Sequence, residues 1–290
     1  MEHKVEEDST VLAVLQSIHP KSSTTTLRKM LTQGRVSVNE SVVHRAKAAV
    51  VAGDVVTISS RQHAEEQTHP PKQTKAVDLN IIYEDEAMLV VNKPPQLLSV
   101  ATDRLEVDTL HSRCVEHVRL ADERAWCFIV HRLDRDTSGI MVLAKTKEAK
   151  EDLQQQFSER AVHRTYIASV EGCPNPPTGT VRTWLMEDKH LNVKAVNKNH
   201  PNGKEAISHY WVMEEREHTS LVEVMIETGR RHQIRMAMQH LGTPVVGDER
   251  HGASTNPQGR VMLHASSLEF LHPETEDPVR FEAPLPRSFG

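Results

Sequence analysis

The sequence predicts an α+β chain: a small N-terminal α/β module, then a larger domain built on a mostly antiparallel mixed sheet flanked by helices. Three observations carry this. Short apolar, β-branched runs recur through the second part with few helical segments between them. The stretch 9–60 has its own helix, its own strands and its own charge. Between the two, residues 61–76 are rich in Gln, His, Glu, Lys and Pro and contain Pro70-Pro71, the composition of a linker.

Within 9–60, residues 24–33 place Leu27, Met30 and Leu31 at helical spacing, and Gly34 stops the helix. Residues 35–39 alternate as a strand, and 53–58 read as a turn feeding a second one. The bases Lys21, Arg28, Lys29, Arg35, Arg45 and Lys47 face only two acids, Glu40 and Asp54. The module is therefore basic inside a chain whose net charge is −5. A phosphate-bearing partner needs such a local footprint, whatever the sum over the whole chain.

The larger domain begins near Val77 and runs to residue 290. Residues 88–92 form a buried-type strand ended by Lys93-Pro94-Pro95. Residues 109–120 put Leu110, Cys114, Val115 and Val118 on one helix face. Segments 126–130 and 140–144 are short apolar strands around the turn Asp136-Thr137-Ser138-Gly139. Thr146 caps a helix running to Arg160, with Ala149, Leu153 and Phe157 on one face. Strands are expected over 162–170, 180–185, 206–213 and 221–227, and a helix over 230–241, ended by Gly242.

Composition narrows the class. With 38% apolar and 26% charged residues among 290, the chain is an ordinary folding sequence with room for two domains. Its longest apolar runs are too short to span a bilayer. The opening Met1-Glu2-His3-Lys4-Val5-Glu6-Glu7-Asp8 is acidic, with no apolar core and hence no secretory signal. A cytoplasmic monomer with no membrane partner is expected. Cys114, Cys127 and Cys173 are odd in number and never arranged C-x-x-C, so neither a disulfide framework nor a zinc site is expected.

One segment is not explained by folding alone. Asp134 lies in a loop between two apolar strands, with His131, Arg132 and Arg135 around it. Turn chemistry accounts for residues 136–139 but not for the preceding His131-Arg132-Leu133-Asp134. Nearby cations favour the carboxylate and lower its pKa, which prepares Asp134 to act as base or nucleophile. A second segment is locally unfavourable. Arg230 and Arg231 fall at the expected helix start, where the macrodipole disfavours cations, and Arg231 and Arg235 are like charges one turn apart. Ile234, Met238 and Leu241 would anchor the opposite face. Such a cluster points to binding of phosphate or a buried carboxylate.

The run Val130-His131-Arg132-Leu133-Asp134-Arg135-Asp136-Thr137-Ser138-Gly139 resembles the signature of the RluA/RluC/RluD family of RNA pseudouridine synthases. The resemblance continues through Ile82-Tyr83-Glu84-Asp85-Glu86, Val91-Asn92-Lys93-Pro94 and Arg164-Thr165-Tyr166-Ile167-Ala168. It extends to Thr228-Gly229-Arg230-Arg231-His232-Gln233-Ile234-Arg235, to Leu241-Gly242-Thr243-Pro244-Val245-Val246-Gly247-Asp248, and to the C-terminus through Leu263-His264-Ala265 and Ala283-Pro284-Leu285-Pro286. It implies a pseudouridine synthase catalytic domain over 77–290 that breaks an N-glycosidic bond, turns the uracil and rejoins it through carbon 5. It also implies that Asp134 is the catalytic aspartate, that Arg132 enters the RNA stack left by the uridine, that Tyr166 packs on the uracil and that Arg235 pairs with Asp134. His131, Leu133, Arg230, His232 and Ile234 are expected around the RNA.

The stretch 9–60 is similar to the RNA-binding module of ribosomal protein S-four, through Gln33-Gly34-Arg35-Val36-Ser37-Val38-Asn39 and Ala52-Gly53-Asp54-Val55-Val56. Arg28, Lys29 and Arg35 are its expected RNA contacts. Several positions depart from these families. Glu40 and Gln96 stand where Gly is usual, His251 where Tyr is frequent, and Arg164 where many relatives carry Lys. Neither Gln96 nor His251 is expected to touch the catalytic set.

The reaction implied requires neither cofactor nor metal, and no nucleotide-binding, zinc-protease or zinc-deaminase motif is present in the sequence. The expected partner is structured RNA: large-subunit ribosomal RNA first, transfer RNA second. The rivals are a non-catalytic RNA-binding or ribosome-assembly protein and a nucleoside glycosidase. The first should lack Asp134, Tyr166 or Arg235. The second normally works through paired acids.

Overall fold

Apolar spacing in the first sixty residues becomes a small sheet with two helices on it. The computed structural model describes residues 2–59, 78–102, 106–188 and 192–290; the expected linker at 61–76 lies outside them. The described residues fall into two units, one N-terminal and one made of Asp78–Val100 with Thr109–Gly290.

The N-terminal unit runs β1 (Glu2–Lys4), β2 (Ser9–Thr10), α1 (Val11–Ile18), α2 (Thr24–Thr32), β3 (Val36–Val38), β4 (Ser41–Val42), β5 (Ala49–Val50) and β6 (Val55–Ile58). Its main sheet has the order β1-β6-β3-β4, and β2 pairs with β5. Helix α1 was not expected. Its continuous apolar run hides the helical period, yet Thr10 accepts a hydrogen bond from the Ala13 amide and starts it. Helix α2 starts where Ser23 accepts from the Thr26 amide. Leu15, Leu27, Leu31, Val36 and Val56 are fully buried between helices and sheet. Glu40 sits in the turn between β3 and β4 at φ +67°, the left-handed conformation that glycine adopts without strain.

The second unit carries β7 (Asn80–Glu84), β8 (Met88–Lys93), α3 (Leu110–Val118), β9 (Phe128–Ile129), β10 (Ser138–Ala144), α4 (Lys147–Ser158) and β11 (His163–Glu171). It continues with β12 (Thr178–Glu187), β13 (Val193–Val196), β14 (Lys204–Glu215), β15 (Thr219–Ile226), α5 (Gln233–His240), β16 (Leu263–Leu271) and β17 (Pro278–Glu282). One sheet holds all eleven strands, ordered β13-β12-β14-β15-β11-β16-β10-β8-β7, with β17 on β16 and β9 on β10. The α+β expectation with a mostly antiparallel mixed sheet is met, because β10 and β16 are its parallel pair. No helix among the described residues is long and apolar enough to cross a membrane.

Strands β8 and β10 are apolar at consecutive positions because both of their faces are covered. Met88–Val91 and Ile140–Ala144 are fully buried, in one core with Leu110 and Cys114 of α3 and Ala149 and Leu153 of α4. Thr146 caps α4 as expected, accepting from the Ala149 amide at 3.1 Å. Two expectations need correction. Only Phe128–Ile129 of the stretch 126–130 pairs as strand. Helix α5 begins at Gln233, so Arg230 and Arg231 precede it. The buried Gln233 amide explains the late start. Its Oε1 accepts from the Arg230 amide and the Thr228 hydroxyl, and its Nε2 donates to the Ile207 carbonyl. The chain is held in a loop up to that point, and His232 turns it at φ +55°.

The parallel junction positions the site. Gly139 on β10 lies against Ala265 on β16, where a Cβ would fall 2.1 Å from the Ala265 carbonyl oxygen. Only glycine lets the strands meet there, and the loop carrying Asp134 enters β10 at that point.

Candidate active site

The loop 131–137 is fixed at three places. Leu133 is buried, and the Ser99 hydroxyl donates to its carbonyl at 2.7 Å while accepting from its amide at 3.1 Å. The His131 ring stacks on Phe157 and its Nε2 accepts from the Val142 amide at 3.1 Å. Burial first, then Arg164, pushes His131 down to about 3, so the ring stays neutral. Finally, the fully buried Lys93 donates to the carbonyls of Leu97 (2.7 Å), Pro94 (3.0 Å) and Arg135 (3.0 Å). Burial pulls Lys93 down to about 7, opposed by Asp136 and Asp134. Three carbonyls match the three N–H bonds of an ammonium, which favours the charged form.

A cavity of about 460 Å³ opens beside this loop. Asp134, Tyr166 and Arg235 line it, with His131, Arg132, Leu133, Arg230, His232 and Ile234. Every residue expected around the site from the larger domain is thus in one place, though they come from three distant stretches of sequence. Arg28 and Lys29 of α2 and Arg35 before β3 belong to the N-terminal unit.

The side chain of Asp134 is 26% exposed. Arg235 Nη1 lies 3.7 Å from its Oδ2, and His232 Nε2 lies 3.8 Å from the same oxygen. The expected lowering of its pKa is not what the structure gives. Burial raises it, and Arg235, Arg231, Arg132 and Lys93 oppose the rise. Desolvation acts on the whole carboxylate, whereas the nearest cation stands beyond hydrogen-bond reach and is engaged elsewhere.

The expected pair of Arg235 with Asp134 is present at 3.7 Å, but it is not the stronger one. Arg235 pairs foremost with Asp248, through Nε–Oδ2 and Nη2–Oδ1 bonds of 2.6 Å each. Asp248 is completely buried. Against the opposing effect of burial, it holds Arg235 above the usual arginine range. The fork fixes the guanidinium plane and leaves Nη1 directed towards Asp134.

His251 reaches this set through His232 rather than directly. It hydrogen-bonds His232, with 3.0 Å between Nε2 of His251 and Nδ1 of His232. Burial, then Arg235, pushes His232 down to about 2, so it is neutral and one of its two nitrogens bears the proton. With His251 donating to Nδ1, the proton of His232 sits on Nε2 and faces the carboxylate of Asp134. The reverse arrangement would set a lone pair against that carboxylate.

Tyr166 on β11 is 8% exposed, and burial with the nearby Asp134 raises its pKa, so the phenol keeps its proton. Arg132 is exposed and, among the described residues, forms no ion pair. Beneath the loop, Arg260 donates to the Ser138 hydroxyl at 3.0 Å, which leaves Ser138 to donate to His264 Nδ1 at 2.9 Å. Burial first holds His264 at about 4.

Sequence reasoning passed over Lys93, Ser99, Asp248, His251 and Arg260 as site-building residues. Lys93 had a visible signal, a cation closing the mostly apolar strand Met88–Lys93, and Asp248 and His251 lay in or beside the run that carried the resemblance. Ser99 and Arg260 had none, because their partners lie far away in sequence.

Residues 87–240 match the family model described as RNA pseudouridylate synthase. An RNA pseudouridine synthase of Bacillus subtilis is 34% identical over 84% of this chain and 84% of its own length. Ribosomal large subunit pseudouridine synthase D of Xylella fastidiosa is 38% identical over 94% of this chain and 85% of its own. The chain belongs to the RluA/RluC/RluD family of RNA pseudouridine synthases. Among solved structures, human RNA pseudouridylate synthase domain containing 1 is 26% identical, with a TM-score of 0.58 over 75% of this chain and 86% of its own. Human RNA pseudouridylate synthase domain containing 4 shares the fold, with a TM-score of 0.62 over 72% of this chain and 90% of its own, at 24% identity. The family makes this protein an isomerase acting on RNA. A synthase that detaches and rejoins a base must first take it out of the stack.

Proposed function

We propose that the protein isomerises uridine to pseudouridine in large-subunit ribosomal RNA, with Asp134 as the catalytic carboxylate. The observation that carries the chemistry is the placement of Asp134, Tyr166 and Arg235 on one cavity. The substrate rests on relatives named ribosomal large subunit pseudouridine synthase D, which match 94% of the chain.

In this reading the uridine leaves its helix and its uracil lies on Tyr166. Arg132, exposed at the rim, fills the vacancy by stacking its planar guanidinium. Asp134 acts as an anion on the ribose or the base. Its burial strengthens its basicity, and Arg235, braced by Asp248, opposes that rise by favouring the charged form. The N-terminal unit is an S-four-like RNA-binding module in which Arg28, Lys29 and Arg35 meet phosphates. The protein works as a cytoplasmic monomer.

Tritium release from large-subunit ribosomal RNA labelled at carbon 5 of uracil tests the activity. Wild type is expected to release tritium, and Asp134→Asn to lose roughly 10⁴-fold or more, as when a reacting group is removed from a concerted set. Release by Asp134→Asn at the wild-type rate refutes its role. Release from transfer RNA alone refutes the substrate. Charge reversal of Arg28 and Lys29 in the full chain should raise KM and leave kcat unchanged.

A further inference from the structure

The cavity has a second end, away from Asp134, and its charge is unbalanced. Arg164 stands two residues before Tyr166 on β11 and shares its face of the sheet. It is only 6% exposed. Its guanidinium lies over the Phe157 ring, 5.6 Å from the centroid. Nη2 donates to the Glu227 carbonyl at 2.9 Å, and the buried Nε has no partner. Among the described residues no carboxylate pairs with Arg164. A second cation, Arg230, lines the same cavity and repels it.

A guanidinium taken out of water without a counter-charge is strongly disfavoured. A protein that retains one beside its substrate cavity has a position waiting for an anion. Gly229 leaves the way open. A Cβ there would fall 2.7 Å from Arg164 Nη1, and Gly229 itself is exposed on the cavity. Nη1 therefore faces the cavity with no side chain in front of it.

We propose that Arg164 and Arg230 form a subsite for a phosphodiester of the RNA strand beside the target uridine. A uracil carbonyl is the weaker candidate, because a neutral acceptor would not balance two guanidiniums. A backbone phosphate carries the full charge and accepts from both. The backbone of a strand whose base has turned in beside Asp134 and Tyr166 must pass the cavity mouth. Held there, it fixes the depth to which the nucleotide enters. The subsite rests on the synthase reading and deepens it.

The test uses the full chain and large-subunit ribosomal RNA tritiated at carbon 5, with KM and kcat measured across a series of potassium chloride concentrations. Arg164→Gln is expected to raise KM five- to tenfold, leave kcat within twofold, and flatten the slope of log KM against log salt by about 0.7, one phosphate contact on a single strand. Arg164→Lys should keep the wild-type slope with an intermediate KM, since it keeps the charge but not the fork. Gly229→Ala keeps every charge but displaces Nη1, and should raise KM and flatten the slope. A fall in kcat with KM and slope unchanged in Arg164→Gln overturns the subsite and makes Arg164 a support for Tyr166. If Arg164→Gln does not fold, wild-type KM and slope in Gly229→Ala overturn it equally. A wild type that releases no tritium would count against the activity, not the subsite. Filter-binding Kd for the same RNA then replaces KM under the same slope criterion.

Discussion

Replacing Asp248 by Asn should unsettle the catalytic unit more than any other isosteric change in it. The carboxylate is fully buried and receives two 2.6 Å bonds from Arg235, whose side chain is 9% exposed. Asparagine keeps one oxygen but sets an NH₂ against a guanidinium N–H, and the negative charge disappears. Arg235 is left buried with only Asp134 near it, at 3.7 Å. Breaking one side of a buried pair costs about 3–5 kcal/mol, which for a unit of this size lowers Tm by roughly 10 °C. Urea unfolding followed by tryptophan fluorescence is a suitable assay, because Trp126, Trp184 and Trp211 all lie in this unit. Arg235→Met should cost a similar amount. The double variant should lose less than the sum by about 2 kcal/mol or more, because it removes both orphaned partners together. A loss below about 1 kcal/mol for Asp248→Asn, or strict additivity in the cycle, would refute the reasoning.

Stability should be full above pH 6.5 and fall as the medium is acidified. The unfolded imidazoles of His131, His264 and His232 take up protons near 6.5, while burial holds the folded ones at about 3, 4 and 2. By pH 5 each such histidine removes about 2 kcal/mol; Asp134, raised in the fold, works in the opposite sense. A urea midpoint unchanged between pH 7 and pH 5 would contradict this. Lys93→Met should destabilise by roughly 2–3 kcal/mol, since three carbonyls, that of Leu97 buried, lose their donor, and should slow tritium release because Arg135 next to Asp134 loses its anchor. Gln96→Gly should stabilise by about 0.5–1 kcal/mol, because Gln96 sits at φ +63°. An unchanged or lowered unfolding midpoint would show that its bond to the Gly259 carbonyl outweighs the backbone strain.

Chain-local features were readable from residues alone. Helix α4 was placed by Thr146 and the spacing of Ala149 and Leu153, and strand β10 after Asp134 by its unbroken apolar run. Capping and burial there are decided within a few residues. The same locality marked His131-Arg132-Leu133-Asp134 as unexplained by turn chemistry. Short elements fared worse, as α1 and β9 show, since a short apolar run fits helix or strand until its partners are known.

What surrounds Asp134 was settled only by the tertiary structure. That Arg235 is taken by Asp248 and that His251 sets the proton of His232 depend on α5 lying against the 248–251 segment, and that Arg164 lacks a counter-charge depends on β11 lying beside the end of β15. The sequence determined which groups are available and that Asp134 stands among cations in a loop between apolar strands. Burial and partner geometry decided its basicity, because desolvation belongs to a position in space and is not written in neighbouring residues.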